Sequence, residues 1–222
     1  DSIFFGAVIS VVGYLIGIFL RKKISVLNPL LVSIIFVIAV IKIFHIDYET
    51  YNSGAKYISY LLTPATVCLA IPLYRQISVL KEHAKEVFIG ILAGVLASMG
   101  SILLMSYLFG LTHEQYVTLL PKSITTAIGM GVSEELGGIQ TITVAVIIIT
   151  GVLGNIIAEA VLKIFRIKEP VAKGLAIGTA SHAIGTTKAL EIGEIEGAMS
   201  SLSVAVAGLM TVISASIFAN MM

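Results

Sequence analysis

Long apolar runs joined by short polar connections make up most of this chain. Five of the runs are predicted membrane helices, since each comes close to or exceeds the roughly 20 residues that cross the hydrocarbon core of a bilayer. A further apolar segment, 57–74, contains Pro64 and Pro72 and is predicted to be broken. The predicted membrane helices are 3–20, 26–44, 86–110, 139–165 and 196–222.

Two stretches interrupt this pattern with glycine and polar side chains. They are 121–138 (PKSITTAIGMGVSEELGG) and 173–197 (KGLAIGTASHAIGTTKALEIGEIEG), and both lie between apolar segments that are long enough to cross a membrane. Polar, irregular backbone at membrane depth is tolerated only where it is buried in protein or lines a cavity. The sequence therefore predicts that the two stretches form the functional site.

The basic residues predict the topology. Ten of the fourteen Lys and Arg residues fall in three clusters, within 21–23, 75–85 and 163–173. Cytoplasmic loops collect such residues, so all three clusters are expected on one side of the membrane. This requires the segment 116–138 to make an even number of crossings, and we interpret it as a re-entrant hairpin that enters and leaves on the outer side.

The chain also repeats itself weakly, as a broken segment followed by a full helix. Ala-Ile-Gly at 127–129 recurs at 183–185, and Pro64 corresponds to Pro121. Re-entrant segments would give successive units opposite orientations, which is the inverted-repeat arrangement of secondary transporters. The predicted organisation is a single membrane domain, 1–222, with N-terminal scaffold helices in 1–56 and related units at 57–110, 114–165 and 170–222.

Composition agrees with an all-α polytopic membrane protein of about six to eight hydrophobic segments. The chain is 57% hydrophobic and 12% charged, whereas soluble domains carry about twice that charged fraction. A net charge of +1 gives no reason to expect nucleic acid as a partner. The single cysteine, Cys68, excludes an internal disulfide. Neither a P-loop, a dinucleotide fingerprint nor metal-ligand spacing occurs, so we expect no enzyme, no metal and no cofactor.

Candidate binding residues open the first polar stretch and fill the matching part of the second. Hydroxyls, free N–H groups at helix ends and an ammonium suit a small carboxylate. The alternative is structural: a Lys side chain can extend to the membrane interface, and Ser and Thr can bond their own helix backbone. The candidates are Lys122, Ser123, Thr125, Thr126, Thr179, Ser181, His182, Thr186, Thr187 and Lys188.

Four further residues are candidates for coupling to protons or cations. Glu134 and Glu135 end the first stretch; the favoured explanation is that they are solvated loop acids, and the functional alternative is a proton or cation site. Asn155 and Glu159 lie four apart on the predicted helix 139–165 and share a face. Lys163 is four residues beyond Glu159, so an interfacial ion pair is the structural alternative there.

The C-terminal half resembles the LrgB/CidB family of bacterial inner-membrane proteins. The residues that carry the resemblance are PKSITTAI (121–128), SEELGG (133–138) and the block EPVAKGLAIGTASHAIGTTKALEIGEIEGAMS (169–200). The resemblance implies a multi-pass protein of the bacterial cytoplasmic (inner) membrane. It also implies one of two functions: antiholin-like control of murein hydrolase export and autolysis, alongside a small LrgA/CidA-like partner, or carriage of small 2-hydroxycarboxylates. The second comes from similarity to the membrane domain of the plant plastidial glycolate/glycerate translocator.

Internal repeats and polar broken segments favour the carrier. A holin-type pore needs few helices and no such segments. We therefore expect a secondary transporter of small monocarboxylates (the glycolate, glycerate, lactate and pyruvate class) that works by alternating access, with antiholin-like modulation as the alternative. A homodimer is expected, in contact through the first two helices and the small-residue helix 86–110. A receptor that binds a ligand in the same pocket without transporting it is a third possibility.

Overall fold

The computed structural model describes residues 4–24, 27–61, 64, 67–68 and 70–222, and these residues form helices and turns without any strand. The prediction of an all-α polytopic membrane protein is confirmed. The chain divides into two compact units, Asp1–Cys68 and Leu69–Met222. The boundary falls inside the predicted repeat unit 57–110.

The described residues of the first unit include three helices, of which α1 packs against both others. Asn28 caps α2 by accepting a hydrogen bond from the Leu30 N–H (2.9 Å), and Pro29 follows in the first turn, as the sequence predicts. The helices are α1 (Phe5–Lys23), α2 (Pro29–Ile43) and α3 (Tyr48–Ser59).

Helix α3 corrects the expectation of a polar connection over 45–56. Asp47 accepts a hydrogen bond from the Glu49 N–H (3.1 Å) and so starts the helix. The Tyr51 hydroxyl then lies 2.9 Å from the Ser10 hydroxyl on α1. Gly6 of α1 allows this approach, because a Cβ there would overlap the Tyr51 backbone. A polar sequence therefore forms a helix that is stabilised by its neighbour.

The described residues of the second unit form short helices at its start and, further along, four helices of 23 to 26 residues. Of the predicted broken segment 57–74, one part ends α3 and another begins α4, while 62–63, 65–66 and 69 lie outside the described residues. The predicted polar loop 112–115 is instead a helix start, since Thr112 and Gln115 form a capping box. The helices are α4 (Ala70–Arg75), α5 (Ile77–Glu82), α6 (Ala84–Phe109), α7 (His113–Leu119), α8 (Thr126–Glu135), α9 (Gln140–Ile164), α10 (Pro170–Ile192) and α11 (Glu194–Ala219).

Within the described ranges, four helices, α1, α6, α9 and α11, are long and apolar enough to cross a membrane, and α2 is a shorter apolar helix. In the second unit, buried side chains of α6, α7 and α11 share one hydrophobic cluster, which includes Ile91, Tyr116 and Met199. Large apolar side chains elsewhere on the long helices are exposed, and Ile89, Ile149 and Ile213 are more than half exposed. In a membrane protein such a surface faces lipid.

The long helices of this unit define two ends. Gly90 and Gly94 of α6 lie against Leu175 and Thr179 of α10, so both helices start at the same end. We call this the basic end, because Lys85 lies in the first turn of α6 and the cluster within 163–173 joins α9 to α10. We call the opposite end, where α6 stops at Gly110, the far end. Two of the three basic clusters therefore lie together, as the topology prediction requires.

Candidate functional site

The segment from Thr118 to Ile139, which we call hairpin 1, leaves the far end and returns to it. The Ile139 N–H donates to the Thr118 hydroxyl (2.8 Å), and the Thr143 hydroxyl lies 2.8 Å from the Thr118 carbonyl oxygen. The segment contains the last two residues of α7 and the whole of α8. The longer of these helices, α8, has 10 residues, which span only about 15 Å at 1.5 Å per residue. Both ends of the segment thus meet, in agreement with the predicted re-entrant hairpin.

Helix α10, which we call hairpin 2, turns back on itself at His182. The His182 φ of 42° lies outside helical geometry. A Cβ on Gly185 would lie 3.3 Å from the Ile177 carbonyl oxygen, although residues eight apart in a continuous helix are separated by about 12 Å. Residues 170–181 and 183–192 are therefore two arms that lie side by side: the first runs from the basic end to the tip at His182, and the second returns to the basic end.

The two hairpins approach each other from opposite ends and meet at Ile147 of α9. His182 Nε2 at the tip of hairpin 2 lies 3.0 Å from the Ile147 carbonyl oxygen. Gly129 of hairpin 1 lies against the Ile147 side chain, where an added Cβ would overlap it. Hairpin 1 is followed by the full helix α9 and hairpin 2 by the full helix α11, and these two helices run in opposite directions. The hairpin-plus-helix pairs therefore have opposite orientations, while the division of the chain into repeat units stays a prediction.

A groove of about 770 Å³ runs along α6 and the first arm of hairpin 2. Glu86 and Glu169 line it near the basic end, and Lys122 and Ser123 of hairpin 1 line it at the other extreme. Lys122 lies beside Ser98, and the 12 residues of α6 between Glu86 and Ser98 correspond to about 18 Å. The groove therefore extends from the basic end well into the depth of the long helices.

Lys122 is held in the groove by hydroxyl groups. Its Nζ donates to Ser123 Oγ (3.0 Å) and lies 3.5 Å from Ser98 Oγ, and the two hydroxyls are 2.9 Å apart. Among the described residues no carboxylate forms a salt bridge with this ammonium. An amine with two serine hydroxyls and no counter-ion is chemically suited to receive an anion.

Three other candidates are threonines, one of which, Thr179, lines the groove. Thr125 and Thr126 start α8 and are partly buried, and Thr125 makes no side-chain cap bond. Thr179 lines the groove, but its hydroxyl donates to the Leu175 carbonyl oxygen (2.7 Å). The structural alternative, a hydroxyl bonded to its own helix, describes Thr179.

The tip of hairpin 2 is buried in protein. Ser181, His182 and Thr186 are all buried, and the Thr186 hydroxyl lies 2.9 Å from that of Ser200 on α11. Gly154 of α9 makes room for Ser181, because a Cβ at 154 would overlap the Ser181 hydroxyl. The structure thus places these three candidates in the packing between helices, apart from the groove.

The second arm of hairpin 2 carries the remaining candidates and faces α9. Asn155 Nδ2 donates to the Thr187 hydroxyl (2.9 Å), and Lys188 forms salt bridges with Glu159 and with Glu191. Glu159 also lies 3.8 Å from Lys163, the ion pair expected from their spacing. Asn155 and Glu159 share a face, as predicted, and that face holds hairpin 2.

Glu134 and Glu135 lie far from the groove. Both are exposed at the C-terminal end of α8, on the far end of the unit. This position agrees with the alternative of solvated acids. No group of three His, Cys, Asp or Glu residues within the described ranges could hold a metal ion.

Two serines of the site were absent from the sequence-based candidates. Ser98 and Ser200 lie on long helices, α6 and α11, outside the two polar stretches. Ser98 belongs to a row of small residues that predicts close helix packing, and the row does pack against hairpin 2 at Gly90 and Gly94. One signal in the sequence could have identified Ser98: it lies four residues after Gly94, so both residues share one face of the helix.

Comparisons with known proteins agree with the resemblance. The model of the LrgB-like family matches residues 10–221. Proteins named antiholin-like protein LrgB from Bacillus mycoides (strain KBAB4), Bacillus cereus (strain B4264) and Bacillus anthracis (strain CDC 684 / NRRL 3495) are each 38% identical over 213 residues, which is 95% of this chain and 93% of the relative. No solved structure matches the chain. With a match that covers nearly its whole length, this chain belongs to the LrgB-like family.

Proposed function

We propose that this protein carries a small carboxylate across the membrane, with Lys122 as the binding cation. The supporting observation is the Lys122 ammonium in the groove, which forms no salt bridge with any carboxylate of the described residues. A charged group at membrane depth is costly unless it is paired or wet, and Lys122 is bonded to Ser98 and Ser123 alone among the described residues. A substrate carboxylate would supply the missing charge, and the two serine hydroxyls would hold its oxygens or those of a neighbouring hydroxyl group.

The same geometry suggests how binding is coupled to movement. The groove connects Lys122 to the basic end, past Glu86 and Glu169. The groove is not lined by the base of hairpin 1, where Thr118 is joined to Ile139 and Thr143 at the far end. We infer a state open toward the basic end, and alternating access then requires hairpin 1 to shift so that Lys122 faces the far end. Proton coupling through Glu134, Glu135, Asn155 or Glu159 remains part of the proposal, and so does a homodimer.

A second function is favoured by the comparisons. The relatives are named antiholin-like, and this supports an antiholin-like role, with effects on autolysis, more directly than it supports any particular solute. Location in the bacterial inner membrane and a small LrgA/CidA-like partner belong to the same proposal. The proposal of a carboxylate substrate is supported by the groove alone.

Counterflow in reconstituted liposomes separates the two proposals. Purified protein is reconstituted, and exchange of radiolabelled glycolate, glycerate, lactate and pyruvate is measured with and without a pH gradient. The test variant is Lys122→Gln, and the matched control is Lys85→Gln, which removes an exposed lysine at the start of α6. We expect saturable exchange that Lys122→Gln reduces at least tenfold and Lys85→Gln leaves unchanged.

Other outcomes decide against the carrier. Leakage of unrelated dyes without saturable exchange would favour a pore connected with autolysis. Saturable binding of a carboxylate without exchange would indicate a receptor. Exchange that is equal in Lys122→Gln and in the unsubstituted protein would remove the assigned role of this lysine.

A further inference from the structure

A second cavity, of about 530 Å³, lies at the basic end between α9 and hairpin 2. We call it the basic cavity, because Lys163, Arg166, Lys168 and Lys173 all line it. It is separate from the groove, because the two cavities have no lining residue in common. None of the candidate binding residues lines it.

Positive charge exceeds negative charge in this cavity. Its two carboxylates, Glu159 and Glu191, both form salt bridges with Lys188, which lies outside the lining. Lys173 forms its own salt bridge with Glu196 (3.6 Å). Among the described residues, Arg166 and Lys168 are left with no salt bridge, so two cations are available to an anion.

The backbone at Arg166 points to a role for its side chain. Arg166 has a φ of 54° and ends α9 in a Schellman motif, in which its N–H bonds the Lys163 carbonyl and the Ile167 N–H bonds that of Leu162. Glycine is the usual residue there, as at Gly137 after α8. An arginine is strained in this conformation, whereas glycine adopts it freely, and helix termination does not explain the arginine.

The floor of the cavity is apolar. Leu162, Ile167 and Ile192 line it and belong to, or pack against, a small hydrophobic cluster with Ile177 and Ala189.

Basic residues at the end of membrane helices often serve topology alone. Topology explains their sign, but it requires neither a cavity nor an arginine in a left-handed conformation.

We propose that the basic cavity binds a phosphate group, with Arg166 as its principal ligand and Lys168 beside it. A guanidinium presents paired N–H donors that match phosphate oxygens. Basic pockets between membrane helices bind phospholipid headgroups, and an apolar floor under a cationic rim fits the phosphate and the first acyl carbons of such a lipid. A soluble phosphate ester offers the same phosphate without the apolar part.

The substitution Arg166→Gly tests this site without damaging the fold. It removes the cation and relieves the positive φ, so the unliganded protein should be at least as stable as before. The matched control is His45→Gly, because His45 (φ 50°) ends α2 in the same motif but lies in the first unit. Both variants relieve the same strain, and only one of them changes the basic cavity.

The measurement is the thermal midpoint of the purified full-length protein in a neutral detergent. The probes are short-chain phosphatidylglycerol, short-chain phosphatidylcholine and inorganic phosphate. A ligand that binds the folded state raises the midpoint with concentration. We expect phosphatidylglycerol to raise it in the unsubstituted protein and in His45→Gly, and Arg166→Gly to need at least a tenfold higher concentration for the same shift.

Each result has a definite reading. A shift with phosphatidylglycerol but not with inorganic phosphate identifies an anionic lipid as the source of the phosphate, and a shift with both identifies the phosphate group itself as sufficient. Equal shifts with phosphatidylcholine and phosphatidylglycerol, no shift with any probe, or equal shifts in Arg166→Gly and His45→Gly would overturn the proposal. None of these results depends on carboxylate exchange.

Discussion

The two hairpins have the same outline but are held in different ways. Hairpin 2 is fixed along its whole length: its tip bonds Ile147, its second arm is joined to α9 through Lys188 and Glu159, and its first arm to α11 through Lys173 and Glu196. Hairpin 1 is tied at its base by Thr118. Its loop carries Lys122 and Ser123 into an open groove.

This difference suggests a division of labour. Polar side chains in hairpin 2 mostly satisfy one another or the backbone, and so they stabilise the fold. Lys122 in hairpin 1 has hydroxyl partners but no counter-ion among the described residues, so it is available to a ligand. Similar composition in two repeated stretches therefore does not imply equal shares in binding.

The largest expected effect is that of Gly154→Ala, which tests how tightly hairpin 2 is seated. The added Cβ would overlap the Ser181 hydroxyl and lie 2.5 Å from its Cβ. Overpacking by one carbon in a packed region costs about 1–3 kcal/mol or more. We expect a clearly lower thermal midpoint in detergent and a reduced yield of monodisperse protein.

Its control is Gly131→Ala in hairpin 1, where an added Cβ meets nothing within 4 Å. Alanine is the better helix former by up to about 1 kcal/mol, so this variant should be as stable as the unsubstituted protein or more stable. Equal destabilisation by both substitutions would show that the hairpins do not differ in packing.

The next effect concerns the base of hairpin 1. Thr143 is fully buried, and its hydroxyl lies 2.8 Å from the Thr118 carbonyl and 2.7 Å from the Ser133 hydroxyl. Thr143→Val keeps the shape but leaves these partners unsatisfied, at a cost of about 1–3 kcal/mol. Thr141→Val, two residues earlier on an exposed face, should change stability by no more than about 0.5 kcal/mol. Unfolding followed by thermal denaturation measures both, and equal midpoints would contradict closure at Thr118.

The smallest effect distinguishes a turn at His182 from a kink in a continuous helix. Both His182→Ala and His182→Gly lose the contact with Ile147, but only glycine relieves the φ of 42°. At a turn, the glycine variant should be more stable than the alanine variant by about 1 kcal/mol. In a continuous helix the alanine variant would be the more stable of the two. Ala180→Gly, on the exposed surface of the first arm, is the reference, because glycine there should lower the stability of the helix. Thermal midpoints of the three variants decide the matter.

Much of the fold could be predicted from the sequence, because membrane helices depend on local composition. The long helices α6, α9 and α11 lie within a few residues of the predicted runs, and the basic clusters correctly required an even number of crossings. Helix α3 could not be predicted, since its polar sequence gives no apolar signal. Contact with α1 through Gly6 and Ser10 is what stabilises it.

The site was predicted less completely, because side-chain direction depends on the turn of each hairpin. Lys122 and Ser123 do line the groove, but the positive φ of His182 turns Ser181 and Thr186 into the packing between α9 and α11. No local pattern reveals that turn. Ser98 was missed because it belongs to another helix, so only the assembled unit brings it to Lys122.

The closed base of hairpin 1 also bears on how the protein is assembled. Because Thr118 and Ile139 are hydrogen-bonded neighbours, the intervening residues do not alter the direction in which α6 and α9 run. Hairpin 2 has the same property, since its first arm starts and its second arm finishes at the basic end. Membrane insertion of the three long helices can therefore precede the hairpins, whose polar tips then fold into a protein-lined interior and never need to be solvated by lipid.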